Sequence, residues 1–246
     1  MADKKITDLQ LVDAITEDLN FPVDDTIQTY RATIAQVKAY ILATQPTIVK
    51  YTSGSGTYTP TLGVKWIRVR IKGGGGGGGG SGNGSTGGNG GDGGATTFGT
   101  SLLTANGGTK GWGDSSPGNG GSVTVNSPAI DLRSRSGCRG GQGIGLTINT
   151  CVFPGGMGGG GSGFFGNAPN NSGLGGNGGY LALQTGNTGG GGGEGGEIEA
   201  IIKSADLLSS YAYSVGSAGT AGSSGTNGTV GFAGGAGYII IEENFT

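Results

Sequence analysis

This sequence predicts a mainly β fold with glycine-rich, polyglycine-II-like segments behind a small α+β N-terminal module, and three observations predict it. Glycine supplies 62 of 246 residues, yet residues 1 to about 45 contain none. A local three-residue phasing recurs in the glycine-rich part, as in Gly87-Gly88-Asn89, Gly90-Gly91-Asp92 and Gly93-Gly94-Ala95. Runs with the apolar–polar pattern of β-strands bracket that part on both sides.

Gly and Pro at this level without a collagen period usually signal low complexity. Disordered chains, however, resist collapse through high net charge and low hydrophobicity. Charged residues are only 12% here and the net charge is −2, so the glycine body is expected to be ordered. A three-residue turn is the geometry of polyproline II, which has no internal hydrogen bonds. Bundles of such segments hold together by lateral bonds where glycine lines the contacts. Many bonds are needed, because ordering glycine is entropically costly. The stretches 175–180 and 192–197 repeat the phasing, while the lack of a sustained Gly-X-Y register with Pro excludes collagen.

Three regions follow, namely an N-terminal attachment or trimerisation module (1–45), a linker (46–57) and a glycine-rich β domain (58–246). In the first, Phe21-Pro22-Val23 reads as extended, Asp24-Asp25 as a turn and Thr29–Thr33 as a strand. A helix is expected from about Ile34 to Ala43, with Thr33 as N-cap. Ile34, Val37 and Ile41 share one apolar face of it, and oligomerisation through that face would complete a core too small to stand alone. Val64–Lys72 alternates strictly from Ile67 onward, the mark of a half-buried strand. Strands are expected again at 197–202, 211–215 and 238–242, the last read as central and buried. Val64–Ile71 is expected to pair with these C-terminal strands, so that a sheet clasps the glycine-rich excursions.

Several functions are excluded by composition. The absence of histidine removes the commonest general base, the commonest metal ligand and every Ser-His triad. No metal or cofactor is expected, since two cysteines cannot make a four-ligand zinc site unaided. Cys138 and Cys151 either bridge, closing a loop of about a dozen residues worth about 2–3 kcal/mol, or stay as thiols made in a reducing compartment. A net charge near zero argues against nucleic acid as partner. No apolar run approaches the roughly 18 residues of a membrane span, and no signal peptide is read at the N-terminus. Isolated GxGxxG matches follow from composition, and no phosphate-binding Gly-x₄-Gly-Lys-Ser/Thr occurs. Glu194, Glu197 and Glu199 are the best carboxylate group for glycoside hydrolysis. They read instead as structural charges, so no enzyme is expected.

Two signatures are familiar. Lys5-Ile6-Thr7-Asp8-Leu9, Phe21-Pro22-Val23 and Ala32-Thr33-Ile34-Ala35-Gln36-Val37 resemble the short leading module of phage tail-fibre and tail-tip proteins. Tyr58-Thr59-Pro60 and Gly63–Arg70, running into a glycine octet, are similar to the start of the glycine-rich C-terminal domain of that family. Gly195-Gly196-Glu197, Tyr213-Ser214-Val215-Gly216 and Gly237–Glu243 are similar to its end. The resemblance covers about half the chain, and between about 95 and 175 it extends only to composition. It implies a trimeric fibre, carried on a virion tail or a cell surface, whose tip binds a bacterial surface polysaccharide or outer-membrane protein. It also implies a junction with another fibre protein through the N-terminal module. The chain departs from the family in having no long shaft.

Candidate binding residues are the large side chains set among Gly, Ser and Asn. Phe98, Trp112 with its neighbour Asp114, Phe153, Phe164 and Phe165 could stack on sugar rings. Arg133, Arg135 and Arg139 could clamp phosphates or carboxylates. A structural polyglycine-helix protein (cell-wall, silk-like or ice-binding) is the second reading. Ice binding would need a regular Thr/Ala face, and Thr is scattered here.

Overall fold

The computed structural model describes residues 20–25, 28–33, 45–83, 86–146, 152–153, 155–161, 166–182 and 186–245. The chain divides into two units, Met1–Gln45 with Phe245–Thr246, and Pro46–Asn244. In the first, β1 (Asn20–Asp25) and β2 (Gln28–Thr33) form an antiparallel hairpin, with Asn20 opposite Thr33 and Asp25 opposite Gln28. Asp24 and Asp25 therefore belong to a strand and not to the expected turn. The helix expected over 34–43 lies outside the described residues.

The second unit is mainly β, with antiparallel sheets and, among the described residues, one short 3₁₀ turn at Ser204–Asp206. Its first strands are β3 (Thr47–Tyr51), β4 (Ser55–Tyr58), β5 (Trp66–Lys72) and β6 (Gly82–Asn83). Next come β7 (Thr96–Phe98), β8 (Leu103–Ala105), β9 (Val123–Val125), β10 (Ile130–Arg135), β11 (Gly145–Leu146) and β12 (Val152–Phe153). The last are β13 (Leu181–Ala182), β14 (Gly186–Asn187), β15 (Glu197–Lys203), β16 (Tyr211–Ser214) and β17 (Tyr238–Asn244). One five-stranded sheet runs β10-β15-β5-β17-β3, and a second runs β4-β16-β7-β8-β9.

Residues 46–57, expected as a linker, instead supply β3 and β4. Thr47–Tyr51 completes one sheet beside β17, and Ser55–Tyr58 completes the other beside β16. The expected pairing of the Val64–Ile71 run with the C-terminal strands is present for two of the three, since β5 lies between β15 and β17, whereas β16 joins the other sheet between β4 and β7. The alternation of β5 places Ile67, Val69 and Ile71 in the core, where they meet Ile198, Ile202, Ile239 and Ile241 at full burial. β17 is an interior strand, but its near-continuous apolar run buries only alternate residues. Ile239 and Ile241 face inward while Tyr238 and Ile240 are half-buried on the other side.

The second sheet adds an aromatic stack to this core. Phe98 lies 4.8 Å from Tyr211 and 5.9 Å from Tyr58, ring centre to ring centre. A buried carboxylate fixes the strand ends, because Glu243 accepts from Thr47 Oγ1 (2.6 Å), Tyr58 OH (2.7 Å), Thr61 N (2.9 Å) and Thr61 Oγ1 (2.8 Å). Burial alone would raise the Glu243 pKa, and these four donors bring it below the usual carboxylate range.

Between the strands run ten extended glycine-rich segments, numbered g1 (73–81), g2 (87–95), g3 (106–113), g4 (116–122), g5 (137–144), g6 (155–159), g7 (173–180), g8 (188–196), g9 (216–225) and g10 (228–237). Successive N–H groups of g1 donate to three different neighbours in rotation. Gly73, Gly76 and Gly79 bond g8 at 196, 193 and 190, and Gly74, Gly77 and Gly80 bond g2 at 94, 91 and 88. Gly75, Gly78 and Ser81 bond g10 at 235, 232 and 229, and all nine bonds measure 2.8–2.9 Å. Carbonyls of g1 accept in the same rotation from g3, g7 and g9. The same cycle surrounds g8 with g1, g3, g4, g5, g6 and g7.

The bonds arrange the segments in three layers, g2-g3-g4, then g9-g1-g8-g5, then g10-g7-g6. A segment with six neighbours has no free side. A Cβ on Gly77 would overlap the carbonyl of Thr220, and one on Gly78 that of Asn177. This is why g1 holds eight consecutive glycines, all buried. A segment in an outer layer has one open side, and there every third residue can carry a side chain.

Candidate functional site

Odd-numbered segments run away from the two large sheets and even-numbered ones return, so five connections lie together at the end far from the sheets. The described parts of four of them are bonded to one another, and the g3–g4 connection is bonded to g8. Short strands β6, β14 and β11 form a three-stranded sheet, and β12 pairs with β13. Asn83 N donates to Thr226 O (2.8 Å), and Ser115 Oγ donates to Thr188 O (2.8 Å). Trp112 and Asp114 stand at the g3–g4 connection. The Trp112 backbone is locked on both sides, its N–H donating to Ser116 O and its carbonyl accepting from Gly190 N, both at 2.9 Å. The residue is 41% exposed, with Lys110 Nζ 5.0 Å from the ring centre. Asp114 is exposed and its Oδ1 accepts from Ser116 N (3.0 Å).

The g2-g3-g4 layer presents a flat grid of side chains. The inter-segment register aligns Asn89 with Trp112 and Ser116, Asp92 with Thr109 and Asn119, and Ala95 with Asn106 and Ser122. All nine are exposed except Asn106, which is half-buried. Outward amides of one segment are satisfied by side chains of the next. Asp92 Oδ1 accepts from Lys110 N (2.8 Å), Asn89 Oδ1 from Gly113 N (3.1 Å) and Thr109 Oγ1 from Asn119 N (2.7 Å). Asn106 Nδ2 donates to Ser122 Oγ (2.8 Å). The opposite layer differs, because residues 166–172 lie over it. There Ala168 N donates to Ala233 O (3.0 Å), and Asn167 Oδ1 accepts from Ala233 N (2.9 Å).

The other expected contact residues fall elsewhere. Phe98 is fully buried in the aromatic stack, so it is a core residue and not a binding residue. Its Gly-Thr-Ser surroundings in sequence mark the β7–β8 turn and do not report exposure. Arg133 and Arg135 are exposed on β10 but already committed to carboxylates. Arg135 Nη2 lies 2.8 Å from Glu194 and 2.9 Å from Glu197, and Arg133 Nη2 lies 3.1 Å from Glu197. These pairs pull both arginines onto the sheet and away from the anion clamp expected of them. The Glu194 contact of Arg135 raises its pKa further. Arg139 is exposed on g5, beside the exposed and unbridged Cys138. Cys151, Phe164 and Phe165 lie outside the described residues, and of Phe153 only the backbone, in β12, is described.

Sequence reading missed Asn89, Asp92, Thr109, Lys110 and Asn119 as site residues. The signal was present for two of them, because Asn89 and Asp92 are the third residues of the Gly-Gly-X triplets. No group of three Cys, Asp or Glu able to hold a metal ion occurs among the described residues. No described helix is long and apolar enough to cross a membrane. No family model matches the chain, and no curated protein matches it.

Proposed function

We propose that this chain is a non-enzymatic receptor-binding protein of a fibre or adhesin, in which a polyglycine-II-like lattice holds recognition side chains rigidly at one end. The three-residue rotation of bonds around g1 and g8 carries the reading. Such a lattice spends its interior N–H and C=O groups on its neighbours, so it offers chemistry only at its rim and its connections. Rigid presentation lowers the ordering cost of binding. Five connections tied to one another or to the lattice at the end remote from the sheets, with Trp112 exposed at one of them, are the arrangement a contact surface needs.

On this reading the target is a bacterial surface glycan or outer-membrane protein. The N-terminal module joins the chain to a carrier, either as a homotrimer through the Ile34, Val37 and Ile41 stripe or by docking on another fibre protein. The carrier is a virion tail fibre or a cell-surface fibre. Light-scattering mass of the purified chain, paired with pull-down on bacterial envelopes, tests the reading. A mass near three chains and envelope binding weakened by Trp112→Ala are expected. A monomer that binds no envelope would move the structural polyglycine reading to the front.

A further inference from the structure

The open g2-g3-g4 face has a composition that selects its ligand. We infer that this face is a second recognition surface, and that it binds neutral, hydroxyl-rich oligosaccharide lying flat across the grid. The inference rests on the receptor-binding reading above and names the ligand class for a face that shares Trp112 with the connections.

Three observations carry it. The first is charge. Among the described residues, g2, g3, g4 and the g3–g4 connection carry Asp92, Lys110 and Asp114, and the adjoining g5 adds Arg139, so no cluster of cations lies on the grid to hold a polyanion. The second is unspent hydrogen-bonding capacity. Asp92 and Asn89 each use one oxygen on a neighbouring amide. Asp92 Oδ2, Asn89 Nδ2 and the whole Asn119 side-chain amide have no partner among the described residues. Asp92 and Asn89 are held by their bonded oxygens, and the backbone beneath Asn119 is tied by the lattice. They recur about every 9 Å along a segment, three residues of an extended turn. Hydroxyl groups, which both donate and accept, match such a mixed set.

The third observation is Trp112 at the far edge of the grid. It is the large exposed apolar ring of this face, and Lys110 sits over one side of it. A sugar ring packs its C–H face on indole while its hydroxyls reach adjacent polar groups. A protein partner would instead want an apolar core patch, and Ala95 and Trp112 alone do not make one. The opposite layer is partly covered by residues 166–172, whereas eight of the nine grid residues here are exposed.

An array of immobilised oligosaccharides, neutral members beside phosphorylated and uronate-bearing ones, tests the inference on the full chain. Binding to neutral members is expected. Asn119→Ala, whose side chain makes no bond within the fold, and Trp112→Ala should each weaken it about ten-fold, equivalent to about 1.4 kcal/mol. Thermal melting should leave Asn119→Ala unchanged. Raising NaCl from about 50 to about 500 mM should change the affinity little, since no ion pairs are involved. Selective, salt-sensitive binding of the anionic members overturns the inference, as does neutral binding indifferent to Asn119→Ala. Envelope binding without any neutral-glycan binding overturns it while leaving the receptor-binding reading intact, whereas loss of both sinks the two together.

Discussion

Lys72 Nζ lies 2.5 Å from Glu194 Oε1, and both side chains are almost fully buried, at 6% and 1% exposure. Lys72 is the last residue of β5 and Glu194 stands three residues before β15, so the pair sits where two neighbouring strands become g1 and g8. The sheet ladder and the lattice are continuous there. Lys72 faces Glu197 across the strands, and the next bond runs from Gly73 N to Gly196 O at 2.9 Å. Arg135 and the Cys138 amide complete the coordination of Glu194.

Lys72→Ala should therefore destabilise the fold by about 3 kcal/mol, because it leaves a buried carboxylate short of a donor. Lys203→Ala, on the exposed end of β15, should change stability by less than about 0.5 kcal/mol. Urea unfolding midpoints of the two variants measure the contrast.

Acid should undo the same junction. Burial alone would raise the Glu194 pKa, but bonds from Lys72, Arg135 and Cys138 N outweigh it and hold the carboxyl at about 2, against 4.5 normally. A carboxyl with a depressed folded pKa contributes its stability above the unfolded value and loses it as pH falls through the folded one. The contribution, roughly 3 kcal/mol at about 1.4 kcal/mol per unit, should be full above pH 4.5 and decline towards pH 2. Denaturation midpoints across that range should show the loss, and Glu194→Gln should flatten it.

The layered lattice makes a sharp distinction among neighbouring residues. Gly77→Ala would push a methyl group into the Thr220 backbone, costing about 1–3 kcal/mol by overpacking. Ala95→Ser, on the open side of g2, should cost less than about 0.5 kcal/mol. Equal losses at the two positions, read by thermal unfolding, would refute the assignment of interior and outer segments.

Phe98 and Trp112 should separate stability from recognition. Phe98→Ala removes the centre of the Tyr58–Phe98–Tyr211 stack and should cost about 3–5 kcal/mol. Trp112→Ala should leave the melting temperature nearly unchanged, since its cation–π contact with Lys110 is worth about 0.5–1 kcal/mol. Its effect should fall on envelope binding, read by pull-down.

Strand patterns determined much of this fold locally. The alternation of Val64–Lys72 set which residues of β5 face the core, and the C-terminal runs supplied its partners. The glycine octet and the Gly-Gly-X triplets set an extended three-residue repeat, and with it the requirement for lateral bonds. Which segment lies beside which was decided only in three dimensions. Backbone N–H and C=O groups are the same at every glycine, so nothing local distinguishes one neighbour from another. The inter-segment bonds define the 3-4-3 layering. That layering then decided that Asn89, Asp92 and Asn119 form one open grid. Tertiary packing likewise buried Phe98 and paired Arg133 and Arg135 with glutamates, because burial and ion pairing depend on partners distant in the chain, 59 to 64 residues away for the arginines.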